Sequence, residues 1–126
     1  MSVHEKLKNA YATAQNYPDL ATKLIESGIL SYTVEVAAGL MLYRLAHGET
    51  IFHDSDIEPK VIAAQFNQEQ VIKAIHDNQQ GKSTFPEFMD AIAAAGVRFY
   101  EATLNGDQKR VTYMGSGGFY EEEIPL

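Results

Sequence analysis

The chain of 126 residues repeats a short pattern at an offset of 68 residues. The copies share a helix-capping residue, a proline, a carboxylate, a glycine and a tyrosine. The matched positions are 16–20 and 84–88, Gly28 and Gly96, and Tyr32 and Tyr100. In each copy the pattern predicts a capped helix start and, at the glycine, a helix end. Because duplicated units bury their apolar faces against each other, the repeat predicts one domain of two related halves.

Apolar periodicity gives the same element order in both halves. Residues 30–36 alternate between apolar and polar side chains, which is typical of a strand with one buried face. Helical spacing precedes this strand, and turn residues follow it. We therefore predict an α+β fold of two pseudo-symmetric helix–helix–β-meander repeats, in which helices pack on one face of an antiparallel sheet. The predicted repeats span 1–53 and 67–126 of a single domain, 1–126, and residues 54–66 connect them.

The charge of the chain argues against nucleic acid as a partner. There are 17 acidic and 10 basic residues, giving a net charge of −7. Lys109 and Arg110 are the only adjacent pair of basic residues. Since binding to phosphate backbones depends on clustered cations, we expect no nucleic-acid ligand.

Composition also argues against membrane and thiol functions. No apolar run approaches the roughly 20 residues that a membrane helix needs, and the first residues lack the apolar core of a signal peptide. The chain contains no cysteine, which excludes disulfides and thiolate ligands. We expect a cytoplasmic protein without membrane contact.

The remaining polar motifs do not predict catalysis or cofactor binding. His47, Glu49, His53 and Asp54 form the densest group of metal-ligating residues, but their spacing matches no recognised zinc site. Residues 115–118 are rich in glycine, yet acidic residues follow them where a phosphate loop needs a helix. We expect no catalytic residues, no metal and no cofactor.

The tyrosines and one glutamate are candidate binding residues. Tyr32, Tyr43, Tyr100 and Tyr113 fall on predicted strands, where a tyrosine either fills the core or lines a ligand-facing surface. The core interpretation is favoured. The alternative is a pocket between the halves, in which these tyrosines surround a ligand and Glu35 supplies the polar group.

One predicted strand suggests association between copies of the chain. In residues 40–45, Leu40, Leu42 and Leu45 place apolar side chains on both faces of the strand. Such a strand is either covered twice or part of an interface. We therefore take these three leucines as candidate interface residues for self-association.

Several segments of the chain resemble the domain-of-unknown-function 1398 family of small bacterial and prophage proteins. The resemblance is carried by residues 81–88, 95–97, Tyr100, 112–113 and 123–125. Some family members are labelled "phage envelope protein", so the resemblance implies a connection to prophages. Many members carry a histidine in the last strand, where this chain reads Phe119, Tyr120 and Glu121, so a histidine-centred site is not expected.

Two functions from different classes follow. The first is a non-enzymatic binding or protein-interaction domain that self-associates and is associated with prophages. The second is a small-molecule-binding protein or weak enzyme with the tyrosine pocket described above. The identity of its small-molecule ligand does not follow from the residues.

Overall fold

The computed structural model describes residues 2–126 and confirms the α+β class. The helices are α1 (Val3–Thr13), α2 (Tyr17–Glu26), α3 (Gln68–Gln79) and α4 (Phe85–Ala94). The strands are β1 (Ile29–Glu35), β2 (Leu40–Leu45), β3 (Thr50–Asp54), β4 (Val97–Thr103), β5 (Arg110–Gly115) and β6 (Gly118–Glu123). A short 3₁₀ turn, Ala46–Gly48, joins β2 to β3.

All six strands form one antiparallel sheet with the order β3-β2-β1-β4-β5-β6. The two central strands are β1 and β4, and each half of the chain contributes one of them. Thr33 lies opposite Glu101 in this pair, and these two residues are 68 positions apart. The strand order therefore runs outward in the same way from both central strands. This arrangement is the one that a duplication would produce, and the duplication itself stays a prediction.

The predicted helix starts and ends are confirmed for α2 and α4. The Asn16 side chain accepts a hydrogen bond from the backbone N–H of Asp19 (2.9 Å). Thr84 accepts one from Glu87 (3.3 Å), whose carboxylate accepts the Thr84 N–H in return (2.9 Å). After the helices, Gly28 has a φ of +89° and Gly96 one of +88°, a conformation that costs other residues steric strain.

The helices cover one face of the sheet and bury the core beneath them. Inward-facing side chains alternate along each central strand, as the period of two requires. They meet the apolar stripes of the helices, for example Leu24 of α2 and Ile92 of α4, which are both completely buried. The core is thus a single layer between the sheet and the four helices.

The segment between the halves, residues 55–66, crosses the ends of β4 and α4. The backbone N–H of Ala63 donates to Ala93 (3.0 Å), and that of Asn67 donates to Ala95 (2.8 Å). The Phe66 ring lies over Gly118, where a Cβ atom would come within 2.8 Å of it. Glycine at this position therefore makes room for the ring. The other face of the sheet is left uncovered by this segment and by the helices.

This uncovered face, called the open face below, carries both apolar and charged side chains. Phe52 and Phe119 are each 63% exposed and Phe99 is 37% exposed. Arg44 lies near Glu101 (3.4 Å) on the same face. Of the helices within residues 2–126, none combines the length and apolar character needed to cross a membrane.

Candidate functional site

A cavity of about 460 Å³ lies between the first turns of α2 and α4. Its wall also includes the end of α1 and the loop before α4. Five aromatic side chains line it: Tyr11, Tyr17, Phe85, Phe88 and Tyr100. The volume falls within the range of about 300–1,000 Å³ that is typical of ligand pockets. Both halves of the chain contribute to this inter-helix cavity.

The helix starts place two aromatic residues in matching positions. Tyr17 is the first residue of α2 and Phe85 is the first residue of α4, and each is followed by proline. The cap conformation fixes where the chain enters each helix, so it also fixes where these rings project. Both helix starts therefore contribute to the wall of the cavity.

Two pairs of tyrosine hydroxyls lie beneath the helices in the first half. Tyr17 and Tyr32 share a hydrogen bond with an O–O distance of 2.5 Å. Tyr11 and Tyr43 share another at 2.5 Å. In each pair a helix residue meets a strand residue, so each bond joins the helical layer to the sheet.

Burial raises the pKa of every tyrosine in this cluster. For Tyr17 and Tyr32 burial is the main cause, and the neighbouring tyrosines contribute further to the raised pKa of Tyr32. Burial also raises the pKa of Tyr11, Tyr43 and Tyr100. Because the neutral form is favoured, these phenols donate and accept hydrogen bonds at neutral pH without carrying charge.

In the second half the corresponding hydroxyl pair is incomplete. Tyr100 is the fourth residue of β4, as Tyr32 is of β1, but Phe85 stands where α2 has Tyr17. Phenylalanine has no hydroxyl, and no group in residues 2–126 forms a hydrogen bond with the Tyr100 hydroxyl. Tyr100 is only 3% exposed and lines the cavity.

A second polar atom at the cavity has no partner. The Ser83 Oγ is buried and forms no hydrogen bond with any group of the described residues. Ser83 lies directly before the cap of α4 and lines the same cavity as Tyr100. Leaving a buried hydroxyl unpaired costs about 1–3 kcal/mol, so such atoms usually have a partner. The Ser83 Oγ and the Tyr100 hydroxyl, which have no hydrogen-bond partner among residues 2–126, thus belong to residues that line the same cavity.

Carboxylates of the chain already occupy the positive ends of both helices. Asp19 accepts a hydrogen bond from the Gln15 N–H (3.1 Å) and forms an ion pair with Lys23 (2.9 Å). The hydrogen bond from Lys23 is the main cause that lowers the pKa of Asp19. Glu87 plays the corresponding role at α4 through its bond to Thr84. An anionic ligand would therefore compete with these carboxylates.

The structure brings the four predicted tyrosines together but places only one at the cavity. Tyr32, Tyr43, Tyr100 and Tyr113 are buried on the covered face of neighbouring strands. Ring centroids are 5.2 Å apart for Tyr32 and Tyr43 and 5.4 Å apart for Tyr100 and Tyr113. Among these four, Tyr100 lines the cavity. The other three form the core behind it.

Glu35 is separated from these tyrosines. It is three residues after Tyr32, so the alternation along β1 places it on the open face. Its carboxylate accepts a hydrogen bond from the backbone N–H of Ala38 (2.8 Å) in the turn that follows. The polar group expected from Glu35 is therefore absent from the tyrosine cluster.

The three candidate interface leucines lie on different faces. Leu40 and Leu42 are half-buried on the open face, and Leu42 pairs with Phe52 of β3. Leu45 lies on the covered face, where it packs against the core. The open face therefore combines Leu40 and Leu42 with exposed phenylalanines rather than with Leu45.

Sequence reasoning missed the helix residues of the site. The sequence patterns do not predict Tyr11, Ser83, Tyr17 or Phe85 as site residues, although residues 81–88 carry the family resemblance and Tyr17 and Phe85 mark the repeat. The signal for Tyr17 was an aromatic residue directly after a helix cap in both copies. Within residues 2–126, no three metal-ligating side chains come together in one group.

Comparison with known protein families gives one match over nearly the whole chain. Residues 2–119 match the family described as "protein of unknown function (DUF1398)". A comparison with curated proteins found no match.

Proposed function

Because the chain belongs to the DUF1398 family, whose description assigns no activity, we propose a function from the site itself: a non-enzymatic domain that binds a small molecule in the inter-helix cavity. One observation carries the proposal. The Ser83 Oγ is buried without a hydrogen-bond partner among residues 2–126, no group there bonds to the Tyr100 hydroxyl, and both residues line a cavity of ligand size. A ligand in this cavity would offer a hydrogen-bond partner to the Tyr100 hydroxyl, and a small shift of the loop before α4 would let it reach the Ser83 Oγ as well.

Binding is favoured over catalysis by the direction of the tyrosine pKa shifts. A general base that works near neutral pH needs a pKa close to neutral. Burial raises the pKa of Tyr100 above its ordinary value, which moves it further from neutral. The carboxylate residue that lines the cavity, Glu87, is engaged with the cap of α4. These groups suit recognition rather than proton transfer.

The proposal is tested by blocking the cavity. Ala14 lies at the end of α1 and lines the cavity, so Ala14→Phe would fill part of its volume. Ala12 is exposed on the same helix, so Ala12→Phe is the matched control. In ligand-observed NMR with a panel of small fragments, we expect binding to the parent and to the control but not to Ala14→Phe. Absence of binding by every fragment, or binding that Ala14→Phe leaves unchanged, would refute the proposal.

A second candidate function is self-association through the open face, favoured by its exposed apolar side chains. Phe52 and Phe119 are both 63% exposed, and Leu42 lies beside Phe52. We propose a second copy of the chain as the occupant. Arginine and glutamate lie side by side on this face, for example Arg44 and Glu101. A two-fold arrangement of two copies can therefore place opposite charges across the interface.

Light scattering tests this second candidate. Leu42→Glu places a charge on the open face beside the exposed Phe52, and Ala91→Glu places one on the exposed side of α4 as a control. We expect the parent and the control to form dimers and Leu42→Glu to be monomeric. A monomeric parent would contradict self-association. The prophage connection and the cytoplasmic location expected from the sequence stay predictions.

A further inference from the structure

On the premise that the inter-helix cavity binds a small molecule, we propose that its ligand is a neutral aromatic molecule with a hydrogen-bond acceptor, such as an aromatic amide or ketone. The acceptor would accept a hydrogen bond from the Tyr100 hydroxyl, and the ring would lie among the aromatic side chains of the wall. This inference names the chemical class of the ligand.

The hydrogen-bonding groups of the cavity favour an uncharged partner. Tyr100 and Ser83 offer hydroxyls that each donate or accept, and burial keeps the phenol neutral. A carbonyl oxygen accepts such hydrogen bonds without bringing a charge into a half-buried site. Burying an ionised group would cost much more unless an opposite charge met it.

The charged groups around the cavity offer little positive charge to an anion. The helix starts, which would attract an anion, already hold the carboxylates of Asp19 and Glu87, which accept backbone N–H groups there. Pro18 and Pro86 in the first turns also remove one backbone N–H from each helix. Lys82 lines the cavity but is exposed to water, where its charge is screened. An anion would therefore find few free donors.

The size and walls of the cavity suit an aromatic ring. An apolar cavity of about 150 Å³ is enough to admit benzene. The volume of about 460 Å³ leaves room for a substituted ring. Aromatic side chains already meet edge to face at the wall, with ring centroids 5.6 Å apart for Tyr11 and Phe85 and 6.2 Å apart for Phe88 and Tyr100. A ligand ring can join these contacts in the same geometry.

Three probes of similar size and different charge test the ligand class. The probes are benzamide, benzoate and benzyltrimethylammonium, and their dissociation constants are measured by NMR titration of the full chain. We expect benzamide to bind at least about tenfold more tightly than the two charged probes. If benzoate binds as tightly as benzamide or more tightly, the cavity is an anion site. If benzyltrimethylammonium does so, the cavity is an aromatic cage for cations. Either result overturns the ligand class.

The outcomes separate the ligand class from the binding function. If a charged probe binds best and Ala14→Phe abolishes that binding, the binding function stands and the ligand class is wrong. If none of the three probes binds, the ligand class is wrong, and the broader fragment panel decides the binding function.

Hydroxyl variants test the specific contact. Tyr100→Phe removes the proposed donor and should weaken benzamide binding by about tenfold. Tyr113→Phe is the matched control because it is an equally buried tyrosine of the next strand that does not line the cavity. Phe85→Tyr should supply a partner to Tyr100 and also weaken binding. If Tyr100→Phe binds benzamide as tightly as Tyr113→Phe does, the proposed hydrogen bond from the Tyr100 hydroxyl to the ligand is refuted.

Discussion

At their matching helix starts, α2 and α4, the two halves of the molecule differ by one hydroxyl. In the first half, Tyr17 at the start of α2 is bonded to Tyr32 of β1 (2.5 Å). In the second half, Phe85 at the start of α4 leaves the hydroxyl of Tyr100 in β4 without that bond. The same local design therefore makes a closed contact between helix and sheet in one half and an open hydrogen-bonding group in the other. The difference shows how one atom can turn a structural position into a candidate binding position.

The largest expected effect is alkaline unfolding, because it acts on the tyrosines of both halves. Burial raises the pKa of Tyr32, Tyr100 and Tyr113 above the ordinary value. The pKa of tyrosine in the unfolded chain is about 10. A higher pKa in the folded state contributes stability that is fully present below this value and is lost as the pH rises above it. We expect the free energy of unfolding to fall steeply above about pH 10.

Urea unfolding followed by circular dichroism between about pH 8 and about pH 12 measures this effect. The tyrosine absorbance change on ionisation should coincide with unfolding, because the phenols lose their protons when water reaches them. Ionisation of the tyrosines at their ordinary pKa in a chain that stays folded would contradict the burial of the cluster.

The next effect separates the two halves directly. Tyr17→Phe leaves the completely buried hydroxyl of Tyr32 without its partner, which should cost about 1–3 kcal/mol. Tyr100→Phe removes a hydroxyl that has no partner in residues 2–126, so its effect on the free energy of unfolding should be close to zero. Urea unfolding at neutral pH gives both values. Equal losses would show that the two positions are equivalent after all.

The smallest expected effect compares the two helix caps. Asn16→Ala and Thr84→Ala should each cost about 0.5–2 kcal/mol. We expect the larger loss at Asn16, because its bond to Asp19 is the shorter one at 2.9 Å. At position 84 the backbone N–H keeps its bond to Glu87 after the substitution. A larger loss for Thr84→Ala, measured by thermal unfolding, would reverse this ranking of the caps.

Local features of the fold could be predicted because local residues cause them. The caps at Asn16 and Thr84 and the left-handed glycines act within one turn of chain, so their positions follow from spacing alone. The separation of Glu35 from Tyr32 could also be predicted from the sequence, since a spacing of three residues places them on opposite faces of a strand.

The cavity could not be predicted because it depends on contacts between distant segments. Tyr11 meets Tyr43 across 32 positions, and Ser83 faces the same space as Tyr100 only after α4 has packed on the sheet. Periodicity tells which side chains share a face, but it does not tell which helix residue lies above which strand residue. The candidate site is made of such pairings.

The sequence by itself therefore determined the order, ends and faces of the elements, because capping, glycine conformation and alternation act over a few residues. Only the tertiary structure decided that Tyr100 and Ser83 keep unpaired hydroxyls at a shared cavity. The physical reason is that a buried hydroxyl is satisfied or left unpaired by whichever atoms packing brings near it, and those atoms belong to distant parts of the chain.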